Sequence, residues 1–296
     1  MRDNLSPMTA LTRGDLTVEF AETGPRVTGL RFRGGANLFA ELPGIVIERP
    51  DGPPFRFLGG HRLWRAPEIP EVTYLPDDGP VTFVEGENTV GARGATDPHG
   101  VIREIEATIT GAGAVIVDHR IVNAGGRPIE AAAWAITQFP PEGAAVLPIV
   151  GASGGDDEYQ ANRSIVLWPY TNPGAPGLNW SSEAVVIEGS DGPKQKIGTE
   201  NRAGWVAYHH GEFLFAKWAP LQETAQPYSD RGASIQVYRD RRFVELETLG
   251  PIRTVDPGAA IGHREIWRVV ETGPIGRHEL AARAMEILSE RTKGAR

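Results

Sequence analysis

The chain has 296 residues, enough for two ordinary domains or for one large β-sandwich. Acidic side chains (38) outnumber basic ones (30), and the net charge of −8 argues against a nucleic-acid backbone or an anionic membrane as the main partner, since both need basic patches. With no cysteine there are no disulfides, no thiolate nucleophile and no Cys-ligated zinc or iron–sulfur cluster.

Strand signals dominate in chain order. Leu16 to Phe20 and Arg26 to Arg33 read as a hairpin turned at Glu22 to Pro25. Val101 to Thr110 alternates, with Val101, Arg103, Ile105, Ala107 and Ile109 on one face. Turns at Gly111 to Gly113 and Asn123 to Pro128 lead into Ala114 to Val122 and Ile129 to Phe139, giving a three-stranded meander. Between Pro140 and Asn201 the chain reads as irregular and rich in Gly, Pro, Asn and Trp, the kind of long loop that lines binding sites. Strands resume at Ser164 to Trp168, Trp205 to Tyr208, Phe213 to Trp218, Ser234 to Tyr238, Phe243 to Leu249 and Glu265 to Val270.

The one clear helix signal is Arg277 to Arg291, where Leu280, Ala284, Ile287 and Leu288 share a face. The 36 glycines and 24 prolines are scattered, which predicts many short turns rather than a linker. The expectation is an all-β, large antiparallel sandwich or barrel over residues 1–296, as one domain with a short C-terminal helix. The N-terminal residues lack the apolar run of a secretory signal, and no stretch reaches the length of a membrane span. A cytoplasmic protein is expected.

Three segments carry candidate chemistry. Gly59-Gly60-His61-Arg62-Leu63-Trp64 places a permissive backbone beside Arg62, which can fork onto hydroxyls, and Trp64, which can stack on a sugar ring. A structural turn with a core Trp is the alternative. Asp97-Pro98-His99-Gly100 sets a histidine at a strand mouth, suited to proton transfer or to no role beyond the turn. In Phe243 to Pro251, Glu245 and Glu247 lie two apart on a strand, so both carboxylates face one side while Val244, Leu246 and Thr248 face the core. Two solvated surface charges are the alternative there.

Weaker candidates are Lys217 at a strand end and Trp168, Tyr170 and Trp180 as stacking platforms in the long loop. The acidic run Asp156, Asp157 and Glu158 matches no calcium loop. Arg239, Arg241 and Arg242 read as a solvated turn.

The order of Gly59-Gly60-His61-Arg62, His99-Gly100 and Glu247-Thr248-Leu249-Gly250-Pro251, closed by Val255-Asp256-Pro257-Gly258 before Glu265-Ile266-Trp267, resembles the galactose mutarotase-like superfamily, and more narrowly a bacterial subgroup of it. That superfamily includes aldose 1-epimerases and hexose-6-phosphate mutarotases. The resemblance implies a β-supersandwich and anomer interconversion on a small-molecule sugar or sugar derivative, with no cofactor and no metal. Glu247 would be the base, a histidine the acid, and Arg62 and His99 would hold hydroxyls. Such epimerases usually carry their acid histidine on a mid-chain strand. The matching strand here, Ala131 to Phe139, has none, and its nearest equivalent is Gln138, which cannot donate a proton in acid catalysis. The acid role would then pass to His61 or His99. Trp64, Gln138, Lys217 and Glu245 complete the expected substrate contacts. Sugar binding without catalysis, and lyase or hydrolase chemistry on the same fold, are the competing readings.

Overall fold

The computed structural model describes residues 9–50, 52–151, 159, 161–189, 192–222 and 224–293. The acidic run Asp156 to Glu158 lies outside the described residues. The chain begins with β1 (Thr9–Arg13), β2 (Leu16–Phe20), β3 (Arg26–Phe32), β4 (Glu41–Ile47), β5 (Phe55–Gly59), β6 (His61–Ala66) and the single turn α1 (Pro70–Thr73). Then come β7 (Val81–Gly86), β8 (Thr89–Gly94), β9 (Val101–Ile109), β10 (Val115–Asn123), β11 (Ile129–Phe139) and β12 (Ala144–Pro148). The middle holds β13 (Ile165–Leu167), β14 (Leu178–Trp180), β15 (Ala184–Glu188), β16 (Gln195–Thr199), β17 (Trp205–His210) and β18 (Phe213–Trp218). The chain ends with α2 (Ser229–Gly232), β19 (Ile235–Arg239), β20 (Val244–Leu249), β21 (Arg253–Val255), β22 (Ala260–Glu271) and α3 (Leu280–Lys293).

Two large antiparallel sheets result. The first runs β1-β2-β3-β6-β11-β20-β19-β16-β13, with β21 attached to β11. The second runs β14-β15-β12-β17-β18-β22-β10-β9-β8-β7. Their inner faces meet in one core, where Phe39 packs edge-on against Phe139, Phe215 and Trp267 at centroid distances of 5.5, 6.0 and 5.6 Å. The β4–β5 ribbon stands apart from both sheets. α3 buries Leu280, Ala284 and Leu288 on the outer face of the second sheet, against Val146, Val186, Trp205 and Leu214. Among the described residues no helix is long and apolar enough to cross a membrane.

The all-β expectation with one C-terminal helix matches this architecture. The predicted strands β9, β10 and β11 all form, but they make no three-stranded meander: β9 pairs with β10 in the second sheet, while β11 crosses to the first sheet between β6 and β20. The stretch from Pro140 to Asn201 departs from expectation: besides β13, which the expected strand at Ser164 to Trp168 covers, it contributes β12, β14, β15 and β16 rather than irregular loop. The reason is burial on both faces. β12 and β16 are buried along their whole length, so their sequences carry no polar–apolar alternation to read. Arg239 also departs from expectation. It is fully buried, and its guanidinium donates to the carbonyls of Glu188 and Pro176 rather than to solvent.

A candidate active site on the outer face of the first sheet

The period-two geometry of β6, β11 and β20 sorts their side chains between two unlike environments. Register pairs Trp64 with Trp134, Arg62 with Ile136, Ile136 with Glu247 and Gln138 with Glu245. These residues face away from the second sheet. His61, Thr137 and Thr248 face inward. Glu245 and Glu247 thus lie side by side on one face, with Val244, Leu246 and Thr248 buried behind them.

Over this outer face opens a cavity of about 500 Å³. Trp64, Trp134, Glu245, Tyr238 and Lys196 line it from adjacent strands. The β4–β5 ribbon contributes Ile45, Val46, Ile47 and Phe57. Glu68 and Tyr74 close one end, with the Tyr74 hydroxyl donating to Glu68 at 2.6 Å. Trp168, Tyr170 and Lys194 close the other. A wall of aromatic and aliphatic side chains with a few convergent polar groups suits a polyol whose ring has apolar faces and a polar edge.

The two carboxylates differ in their partners. Glu247 Oε2 accepts from Lys196 Nζ at 2.9 Å and from Trp134 Nε1 at 2.7 Å, while its Oε1 has no partner among the described residues. Glu245 Oε1 accepts from Gln138 Nε2 at 2.8 Å. Burial, and then the charge of Glu247, push the Glu245 carboxyl up to about 8. Burial raises Glu247 as well, against the opposing pull of Lys196 and Trp134. Two adjacent buried carboxylates with one ammonium, bonded to Glu247, retain one proton near neutrality, and the ion pair favours the charge on Glu247 and the proton on Glu245. The Lys196 ammonium is held 4.7 Å from the ring centroids of both Trp134 and Trp168. Trp64 Nε1 is buried without a partner among the described residues.

The sequence-derived candidates divide between this face and other places. Trp64 and Glu245 line the cavity, as do Trp168 and Tyr170, while Gln138 and Glu247 are bonded to lining residues. Arg62 is buried behind the lining: its guanidinium donates to the Phe57 carbonyl, lies 5.2 Å from the Trp64 ring and pairs with Asp77 at 3.8 Å. Burial, and then Arg26, lower its pKa to about 9. His99 is exposed in the turn before β9 and lies outside the lining. Trp180 is also elsewhere, donating to the Pro173 carbonyl. The two glycines before His61 have φ of 88° and 74° and press their backbone against Ala40 and Val27, so their freedom serves chain packing rather than a ligand.

His61 and Lys217 belong to a second cluster, buried between the sheets. Lys217 Nζ pairs with Glu265 at 2.8 Å and donates to the Ala135 carbonyl at 3.1 Å and to Thr137 Oγ1 at 3.3 Å. His119 Nδ1 must donate to the His263 carbonyl (2.9 Å), which leaves its Nε2 to accept from His61 Nε2 at 2.7 Å. His61 Nδ1 then accepts from Thr137 at 2.9 Å. Trp267 Nε1 and Thr248 Oγ1 complete the shell of Glu265. His61, His119 and Glu265 bring ligand-type atoms within 4.8 Å of one another, but the Lys217 ammonium already supplies the cation that Glu265 faces. Burial lowers all three histidines, His61 strongly and His263 to about 3. Burial pushes Glu265 up, but Lys217 and the histidines outweigh it and hold the carboxyl well below the usual range.

Lys196, Trp134, Tyr238, Tyr74 and Glu68 enter the site although none of them stood among the candidate site residues, Trp134 sharing the strand of Gln138 and Glu68 following the Gly59 to Trp64 segment. The one readable trace was the cationic pair Lys194 and Lys196 near the aromatic loop.

No protein-family model matches the chain, and no curated protein does. Solved structures do. A galactose mutarotase-like protein from Lactobacillus casei aligns at 9% identity and TM-score 0.55, over 88% of this chain and 99% of its own. A galactose mutarotase related enzyme from Lactobacillus acidophilus aligns at 8% identity and TM-score 0.54, over 90% and 98%. A candidate aldose 1-epimerase from Escherichia coli K12 aligns at 11% identity and TM-score 0.53, over 88% and 98%. At such identities the likeness concerns the fold: this chain has the galactose mutarotase-like sandwich.

Proposed function

We propose that this protein binds a sugar in the cavity over the first sheet and interconverts its anomers, with Glu247 as base and Glu245 as acid. The observation that carries the reading is the carboxylate pair on β20: Glu245 lines the aromatic cavity, and Glu247 lies next to it beneath the lining residues Trp134 and Lys196, with Lys196 paired to Glu247 alone. Glu247 takes the proton of the anomeric hydroxyl while Glu245 gives its proton to the ring oxygen. The C1–O5 bond breaks to an open-chain aldehyde, C1–C2 rotates, and ring closure from the other face returns both protons. The pair thus fills the role for which the superfamily resemblance called for a histidine, with Gln138 holding Glu245 in place. Polarimetry of freshly dissolved α-glucose and α-galactose tests it: the protein accelerates mutarotation, and Glu247→Gln and Glu245→Gln each lower the rate by about 10²-fold or more. Unchanged rates in both variants reject the assignment.

One observation favours a second reading, sugar binding without catalysis. Glu247 Oε2 is already committed to Lys196 and Trp134. A sugar that raises the melting temperature while its mutarotation is not accelerated decides for that reading.

A further inference from the structure

The cavity is longer than one sugar ring. Strand register places Gln138, Glu245, Tyr238 and Lys196 in a single cross-strand row on the outer face of β11, β20, β19 and β16. At about 4.8 Å per strand, the members of that row that line the cavity, Glu245, Tyr238 and Lys196, span roughly 10 Å. β13 pairs beyond β16 and leads into Trp168 and Tyr170, which extend the lining further. A volume of about 500 Å³ falls in the range that encloses ligands larger than a monosaccharide.

The far end of the row is furnished rather than empty. Tyr170 meets Tyr238 edge-on at 6.5 Å, and Lys194 Nζ stands 4.4 Å from the Tyr170 ring centroid. Lys194 has no ion-pair partner among the described residues, which leaves its donors for a ligand oxygen. Tyr170 keeps 36% of its surface exposed, so a ring laid against it removes apolar area from water.

We infer that the cleft takes a ligand of at least two joined sugar rings, one at Glu245 and Glu247 and the next against Tyr238, Tyr170 and Lys194. The inference rests on the reading that the cavity binds sugar. The substrate class is then a disaccharide or the end of a longer glycan, with the free anomeric carbon at the carboxylate pair.

Titration calorimetry with glucose and galactose, and with cellobiose, maltose, lactose and melibiose, tests it on the wild type, Tyr170→Ala and Lys194→Ala. At least one disaccharide binds about tenfold more tightly than its own monosaccharide, and that ratio collapses towards one in Tyr170→Ala. Lys194→Ala lowers the same ratio, and thermal melts of both variants verify folding. Monosaccharide binding with no disaccharide advantage, or an advantage that survives both variants, overturns the second subsite and leaves the sugar-binding reading standing. If no sugar of either size binds, the sugar-binding reading falls and takes the second subsite with it.

Discussion

Lys196 Nζ donates to Glu247 Oε2 at 2.9 Å, and both side chains are almost wholly withdrawn from water. Removing one member of a buried ion pair leaves the other charge uncompensated, at a cost of about 3–5 kcal/mol. Lys196→Met is therefore expected to destabilise strongly at pH 8. The orphaned Glu247 can escape by taking a proton. Its folded pKa then stands further above the unfolded value of about 4.3, so the native state binds a proton that the unfolded state has lost, and stability falls as pH rises. The loss in Lys196→Met should be clearly smaller at pH 5 than at pH 8 in urea unfolding. Equal losses at both values would mean that Lys196 acts by packing alone.

The wild-type protein should show a stability maximum near neutrality, set from opposite sides by two clusters. The buried histidines His61, His119 and His263 have folded pKa values below the unfolded value of about 6.5, so the unfolded state binds more protons and stability drops as pH falls below that value. Glu245 acts in the other direction. Its folded pKa of about 8 exceeds the unfolded carboxylate value, and stability declines as pH rises between the two. Below pH 6.5 three histidines outweigh one carboxyl. Above it only Glu245 remains of this set. Glu245→Gln should flatten the alkaline limb and His263→Gln the acid limb, read as the pH dependence of unfolding free energy. A variant that shifts the whole curve without changing either slope would contradict this account.

Gly60 is expected to tolerate no side chain. Its φ of 74° disfavours L residues, and an added Cβ would run into the Val27 carbonyl of the neighbouring strand. Gly60→Ala should cost about 2 kcal/mol or more, measured by thermal or urea unfolding. Gly113, with φ of 69° but open space around it, serves as the control: alanine there meets only the backbone strain.

The carboxylate pair was legible because β20 keeps a period of two: Val244, Leu246 and Thr248 on one side require Glu245 and Glu247 on the other. What the sequence concealed was the neighbour across the sheet. Lys196 lies 51 positions before Glu247 and reaches it only through the strand order β20-β19-β16. β12 and β16 escaped notice because strands buried on both faces lose the alternation that marks a strand. His61 and Arg62 show the limit most directly. They are adjacent in a segment full of site-type residues, yet successive strand residues point to opposite faces, so one enters the core and the other packs behind the cavity lining.

Histidine variants separate the carboxylate mechanism from one that runs through a histidine acid. His99 is exposed, donates its backbone N–H to Asp97 Oδ1 at 2.9 Å and lies outside the cavity lining, so His99→Ala should leave the melting temperature essentially unchanged and the mutarotation rate within about twofold of wild type. His61 is fully buried between the sheets with both ring nitrogens engaged, so His61→Gln should lower the melting temperature through the broken contact to His119. At a temperature where the variant is still folded, its rate should stay close to that of wild type. Glu245→Gln should show the reverse: a retained fold and a rate lower by about 10²-fold. A steep loss of rate in folded His99→Ala or His61→Gln would return the acid role to a histidine and take it from Glu245.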